Sequence, residues 1–336
     1  MNAIPQPDSP APGSNPVTRW TVQAVLDWTT RHLAEHGSQS PRLDAEILLA
    51  QSRGCQRIEL YTQYDQELTT EQRAVMRDLV KRRANQEPVA YLVGHREFFG
   101  IDFAVDAHTL VPRPDTETLI VELLDLAREL PTPPSILDVG TGSGGIAITL
   151  ATQLPNALLT AVDISPAALA VAKANAATHD VASRMTFLAG DLFAPLEPTA
   201  RFHFIASNPP YVTSEELSQL PRDIRDHEPH TALDGGADGL DIIRRLLITA
   251  PDHLVPGGSL LCEISPEQST RVIELLAEQP AFEPGRIIED LAGNARVVVA
   301  ASTEITDRQP CYLAHHRARC LSVCALCLCS RRNLSL

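Results

Sequence analysis

From Ser135 onward, short apolar runs alternate with helical segments, and that alternation leaves few folds open. Ser135–Val139, Leu158–Ile164, Met185–Ala189, Phe202–Ser207 and Ser259–Ile264 read as strands. Ile146–Gln153, a segment from Pro166 to Thr178, Leu240–Ala250 and Pro266–Glu278 read as helices between or after them. Ser165-Pro166 supplies a helix start, a capping hydroxyl followed by proline at the first helical position. Strands joined through helices build a parallel sheet with helices on its faces. Arg286–Leu291 and Arg296–Ala301, turned by Gly293-Asn294, predict a closing antiparallel hairpin. The fold class is therefore α/β.

The chain has 336 residues. That suffices for roughly two domains at about 100–200 residues each. Residues 1–17, rich in Pro, Ser, Asn and Ala, read as a disordered leader. Residues 18–87 read as a small helical domain. Val25, Trp28, His32 and Leu33 share a face at helical spacing, and Gly37 is a stop. Ser40-Pro41 starts a helix with the stripe Leu43, Ile47 and Leu48. Thr69 with Gln72 forms a capping box ahead of Val75, Met76, Leu79 and Val80. Residues 88–114 alternate loosely among Gly and Pro and predict a short hairpin linking two domains. Thr116–Leu130 opens the α/β domain of residues 115–302 as a helix, and residues 303–336 form a cysteine-rich extension.

A hydrophobic content of 44% fits a globular chain with a sizeable core. The formal net charge of −14 opposes broad nucleic-acid binding, which normally needs a basic surface. The N-terminus lacks a basic stretch followed by an apolar run, and no apolar run approaches the roughly 20 residues of a membrane helix. The expected location is the cytoplasm. Cys55 and Cys262 stand alone, while Cys311, Cys320, Cys324, Cys327 and Cys329 crowd the tail. This is not a disulfide framework.

Gly140, Gly142 and Gly144 sit where a buried strand turns into a helix, a place where backbone must bend sharply and a ligand approach closely. Gly140, Gly142 and Gly145 also satisfy the dinucleotide fingerprint G-x-G-x-x-G. Asp163 follows at the end of the second strand, where a ribose-binding acid belongs in either class. Two features favour a methyl donor. Asp138 precedes the loop, giving an acidic D-x-G-x-G-x-G form whose acid can serve the cofactor's amino group through water or its backbone neighbours. A sulfonium cation also suits acidic and aromatic surroundings better than a pyrophosphate does. The second feature is Asn208-Pro209-Pro210-Tyr211 after the fourth strand. A planar amide nitrogen is a poor nucleophile because its lone pair is delocalised. Its site needs acceptors for two N–H bonds and a flat surface. Asn208 offers a side-chain carbonyl, Pro209 a backbone carbonyl and Tyr211 a ring face. Both motifs flank the switch point of such a sheet. Asp191, ending the third strand, is placed to accept from an adenine amino group, with Leu192 covering the ring.

These residues resemble the PrmC/HemK family of protein-(glutamine-N5) methyltransferases over roughly Thr18 to Ala301. Beyond the shared core, the resemblance rests on four segments. They are Pro88–Phe99, Val111-Pro112-Arg113-Pro114-Asp115-Thr116-Glu117, Asn208–Tyr211, and Glu228–Leu233 running into Gly235–Asp241. It implies a Rossmann-like seven-stranded class I methyltransferase domain preceded by a small helical domain that grips the substrate. It implies S-adenosyl-L-methionine as cofactor. The acceptor would be the glutamine of the Gly-Gly-Gln loop in class I peptide chain release factors, modified by a monomer without direct nucleic-acid or membrane contact. Carried over by position, Gly140, Thr141, Gly142, Ser143, Gly144, Asp163, Asp191, Leu192 and Asn208 hold the cofactor. Asn208, Pro209, Pro210 and Tyr211 hold the glutamine, with Asn208, Pro209 and Tyr211 catalytic. Many relatives carry an aromatic residue at the position of Leu192, so stacking on adenine is weaker here.

A glutamine methylase of a ribosomal protein would share the tetrapeptide, and so would an amino-methylase of nucleic acid. A binding module with a decayed cofactor site would not be expected to keep glycines, Asp163 and tetrapeptide together. The tail's His315, His316, Cys320, Cys324, Cys327 and Cys329 suggest metal ligands, zinc before an iron–sulfur cluster. Their place at the chain end favours a non-catalytic extension, and no metal is assigned to the site.

Overall fold

The computed structural model describes residues 19–303. The leader and the cysteine-rich tail, with the readings made of them, lie outside the described residues.

The helical part comprises α1 (Val22–Glu35), α2 (Pro41–Arg53), α3 (Arg57–Leu60), α4 (Thr70–Ala84) and α5 (Val89–Val93). Val22, Leu26, Leu33, Leu48, Leu49, Leu60 and Leu79 meet in one core. The Thr69–Gln72 capping box forms as predicted. Three local readings change. The buried face of α1 is Val22, Val25, Leu26, Thr29 and Leu33, while Trp28 is exposed and stacks on His32 at 4.8 Å between ring centres. The side chain of Ser40 caps nothing; Ser38 Oγ instead accepts from Ser40 N and donates to Asp44. Leu43 is exposed, whereas Asp44 and Glu46 are buried. Their charges are met by Arg83, whose Nε lies 2.8 Å from Asp44, and by Arg42 and Tyr61 on Glu46. A buried carboxylate is tolerated when paired and hydrogen-bonded in this way.

A hairpin follows, β1 (His95–Phe98) and β2 (Ile101–Ala104). Its two-residue turn, Phe99-Gly100, has φ of 52° and 72°, the positive pair that matches strand twist. Then come α6 (Glu117–Arg128), β3 (Ser135–Val139), α7 (Gly145–Gln153), β4 (Leu158–Asp163), α8 (Pro166–Thr178), β5 (Met185–Ala189) and β6 (Phe202–Ser207). The chain ends its described part with α9 (Arg222–Arg225), α10 (Asp241–Thr249), β7 (Leu254–Glu263), α11 (Ser269–Ala277), β8 (Arg286–Glu289) and β9 (Ala295–Ala301).

The seven strands form one sheet in the order β5-β4-β3-β6-β7-β9-β8. β3 to β7 pair in parallel, and the β8–β9 hairpin closes the edge antiparallel. Both faces are covered. Ile136 joins Leu119, Ile120 and Ile148 on one side; Leu137 and Val139 join Ile243, Leu246 and Val272 on the other. That double burial explains why β3 reads as a continuous apolar run rather than an alternation. β7 starts five residues earlier than Ser259, because Leu254 pairs with Phe202 across an irregularity before Ser259 pairs with Phe204. Chain order reverses at β3: β4 and β5 lie on one side, β6 on the other. The carboxyl ends of β3 and β6 are thus neighbours, and such a point is where open α/β sheets bind ligands.

Candidate active site

A cleft of about 490 Å³ opens at the carboxyl ends of these strands. Val139 and Ser207 are register partners, and Ser207 Oγ donates to Val139 O at 2.8 Å, clamping the two strand ends together. The glycine loop leaves one and Asn208 leaves the other.

The loop is built from within. Gly140 N and Thr141 N donate to Val162 O, Gly142 N to Asp163 Oδ2, and Gly144 N to Thr141 O. A pyrophosphate cradle needs free amides. This loop has already spent these four, which removes the main reason to prefer a dinucleotide. Acidic side chains of Asp163, Asp191 and Asp234 line the cleft, while Arg245 is paired to Asp191 at 2.6 Å. The setting fits a ligand bearing a sulfonium cation better than one bearing phosphates.

Gly140, Thr141, Gly142, Ser143, Asp163, Asp191, Leu192, Asn208 and Pro210 all line the cleft. Asp163 accepts Gly142 N and Ser165 N at 2.8 Å each, leaving each oxygen a further lone pair for a diol. Asp191 gives one oxygen to Arg245, and Leu192, at φ 50°, lines the cleft while packing against the core. Three expectations change. Gly144 does not line the cleft. Its φ is 88°, and a Cβ there would lie 2.5 Å from Ile148 Cδ1, so this glycine serves helix packing. Asp138 is fully buried beneath the loop, where Oδ2 accepts Thr141 Oγ1 at 2.7 Å and Ala147 N at 3.2 Å. It shapes the loop and does not face a ligand. Tyr211 and Pro209 also do not line the cleft. Tyr211 packs against the core, and its hydroxyl donates to Glu263 Oε1 at 3.2 Å, drawn there by a buried carboxyl group. Burial, then Glu263, pushes the Tyr211 hydroxyl above its ordinary range.

Residues without an individual role in the sequence reading complete the site. Asn208 Nδ2 donates to Thr116 Oγ1 at 3.0 Å. Arg113 NH2 meets the buried Glu228 at 2.5 Å, joining the segment before α6 to the loop before α10. Asn175 on α8 bonds Ala104 through both its amide groups and also Ser143 O, tying the hairpin to the glycine loop. Gly235 lies against the tetrapeptide, where a Cβ would sit 2.8 Å from Pro210 O. Gln268 Nε2 donates to Tyr211 O at 3.0 Å, fixing the same turn from below.

The family model described as the PrmC N-terminal domain matches residues 24–94, and that described as the methyltransferase small domain matches residues 116–222. The release factor glutamine methyltransferase of Rhodopirellula baltica is 48% identical over 286 residues, 84% of this chain and 96% of that one. The chain belongs to the release factor glutamine methyltransferase family. The Geobacter sulfurreducens member is 44% identical over 77% of this chain and 89% of its own length. The fold alone is shared with the hMettl16 catalytic domain, 18% identical with a TM-score of 0.51 over 69% of this chain and 84% of that one. Membership accounts for the pairing of a PrmC-type helical lead with a seven-stranded methyltransferase sheet.

Two buried acids in this family member titrate far from their usual range. Burial pushes Asp138 up to about 7 and Glu263 up to about 7. Both values are raised, so between roughly pH 4 and 7 the folded protein holds protons that the unfolded chain releases. Their contribution to stability is present at low pH and lost as pH rises through 7. The melting temperature is expected to fall between pH 5.5 and pH 8, and Asp138→Asn to flatten that fall. A slope unchanged by the substitution would contradict the assignment to Asp138.

Proposed function

We infer that this chain transfers a methyl group from S-adenosyl-L-methionine to the side-chain amide nitrogen of the glutamine in the Gly-Gly-Gln loop of class I peptide chain release factors. The observation that carries the reading is the state of Asn208. Its Nδ2 is committed to Thr116, so its carbonyl is the end left for a ligand in the cleft. A carbonyl there can accept an N–H of a planar amide nitrogen and so hold the amide's orientation at the cleft.

The cofactor supplies an electrophilic methyl group on a positively charged sulfur. The protein's part is positional. Asn208 Oδ1 would accept one amide proton and Pro210, which lines the cleft, would flank the plane, while the buried Pro209 shapes the turn between them. Tyr211 braces the turn from behind through Glu263 and Gln268. Gly140, Thr141, Gly142 and Ser143 would hold the cofactor's amino-acid end, Asp163 its ribose, and Asp191 with Leu192 its adenine. Orientation of a weak nucleophile against a fixed electrostatic frame supplies most of such a rate.

The helical part, residues 18–87, would grip the release factor beside the hairpin of residues 88–114, with chemistry confined to residues 115–302. Among the described residues no helix is long and apolar enough to cross a membrane. A monomer working in the cytoplasm on free release factor, without nucleic acid, completes the reading. The test is transfer of labelled methyl to purified release factor, with ribosomal protein and DNA as parallel acceptors. Label in the factor that vanishes when its glutamine is alanine supports the reading. Label in either other acceptor alone would move the activity to a different substrate.

A further inference from the structure

Away from the cleft, and sharing no residue with it, the helical part has an opening of its own. A groove of about 230 Å³ lies between α1 and α4. Sites for small molecules run to roughly 300–1,000 Å³, so this one suits a single side chain of another protein better. Its apolar floor is Val25, Leu68, Met76 and Val80, all buried. Trp20 and Trp28 stand at the rim, 36% and 44% exposed, and Arg73 and Arg77 line it from α4. Large apolar side chains left in water together at one opening mark an interaction site, whereas singly scattered ones do not. Tryptophan and arginine are also the residue types that most often anchor an interface.

The charge of the rim selects the occupant. Arg73, Arg77 and Lys81 recur every four residues and so share one face of α4. The helix's other two cations are spent, Arg82 on Asp78 and Glu87, Arg83 on Asp44. Arg73 bonds the neutral Thr69 O and Thr70 Oγ1, and among the described residues Arg77 and Lys81 meet no acid. In a chain of net charge −14, such a face attracts an acidic partner that the rest of the molecule repels. Nucleic acid takes a broader basic surface than three cations beside an apolar floor. Residues 304–336, with five arginines against two acids, match the face in sign, and residues 1–18 hold a single acid, Asp8. We propose that the groove between α1 and α4 docks an acidic segment of the protein substrate, with one large apolar side chain seated beside Trp28. The proposal rests on the reading that this substrate is a release factor. Docking apart from the cleft raises the local concentration of the acceptor loop and leaves the chemical step alone.

Trp28→Ala and Arg77→Glu are each expected to raise the Kd for full-length release factor ~10-fold or more by calorimetry, the scale of a lost anchor or a reversed charge. KM for the factor should rise in step, while kcat at saturating factor stays within about twofold. Both side chains are exposed, so circular dichroism and cofactor affinity should match the wild type. Arg77→Lys, which keeps the charge, should keep the affinity. Lys173→Glu, an exposed charge reversal on α8, should change nothing. Added salt should weaken binding by the wild type more than binding by Arg77→Glu.

Wild-type affinity in either Trp28→Ala or Arg77→Glu overturns the proposal. An RNA oligonucleotide held through these two residues, beside a factor whose binding ignores them, would make the occupant nucleic acid and overturn it as well. A wild type that methylates the factor, with KM unmoved in both variants, removes the docking surface and keeps the function. Binding lost in both variants, from a wild type that binds the factor and leaves it unmethylated, supports the surface and removes the functional reading.

Discussion

Asn208→Ala is expected to lower kcat for methyl transfer ~10²–10³-fold, the scale seen when one aimed hydrogen-bonding group is removed from a reacting centre. The side chain bridges two roles. Its Nδ2 is tied inward to Thr116, and its other end lies at the junction of the β3 and β6 ends. Alanine removes the acceptor for the substrate N–H and leaves the nitrogen free to turn away from the line of transfer. The fold should survive. Asn208 is only partly buried, and the strand clamp from Ser207 to Val139 does not involve its side chain. Single-turnover kinetics with saturating cofactor separates the chemical step from binding. A variant that keeps near-normal turnover on the glutamine would remove Asn208 from the centre of the account.

Asp163→Ala should act on the other half of the cleft. Its two oxygens each take a backbone N–H at 2.8 Å, one from Gly142 inside the glycine loop and one from Ser165 at the start of α8. Hydrogen bonds to a charged group of this kind are worth about 1.5–3 kcal/mol each. Alanine loses both and also the lone pairs facing the ribose position. Cofactor Kd is expected to rise ~10–100-fold by calorimetry, each tenfold corresponding to about 1.4 kcal/mol. Turnover at saturating cofactor should change far less. Unaltered affinity would place the ribose elsewhere.

The contrast between these two residues and Glu263 shows what the sequence could carry. Asn208 and Asp163 were legible because each sits at the end of an apolar run, inside a short motif whose spacing is local. The strands β3, β5 and β6 were legible to the residue for the same reason, since turn-forming residues bracket them. Glu263 ends an apolar strand too, and an acid after Leu260, Leu261 and Cys262 was the available signal. What it touches was not legible. Thr116 and Asn208 stand 92 positions apart, Arg113 and Glu228 stand 115 apart, and a tertiary pairing of that range leaves no local pattern.

The same limit explains the helical part. Trp28 lies close enough to the periodic face of α1 to be counted with it, yet Leu26 and Thr29 hold the interior and the tryptophan stacks on His32 outside. Nothing local to α2 marks Asp44 and Glu46 as buried, because their partners Arg83 on α4 and Tyr61 just after α3 lie 39 and 15 positions away. Tyr211 shows the same limit: the motif suggested a ring for the substrate, and nothing near it in sequence announced Glu263, which takes its hydroxyl from 52 positions away. Gly144 was grouped with its neighbours in the loop, although Ile148 one turn into α7 is what excludes a side chain there.

The most direct measurement is tandem mass spectrometry of release factor incubated with this protein and isotopically labelled S-adenosyl-L-methionine. One labelled methyl group is expected, on the side-chain nitrogen of the glutamine in the Gly-Gly-Gln loop, and none with Asn208→Ala. A methyl group on any other residue, or an unmodified factor beside a protein that binds the cofactor, would contradict it.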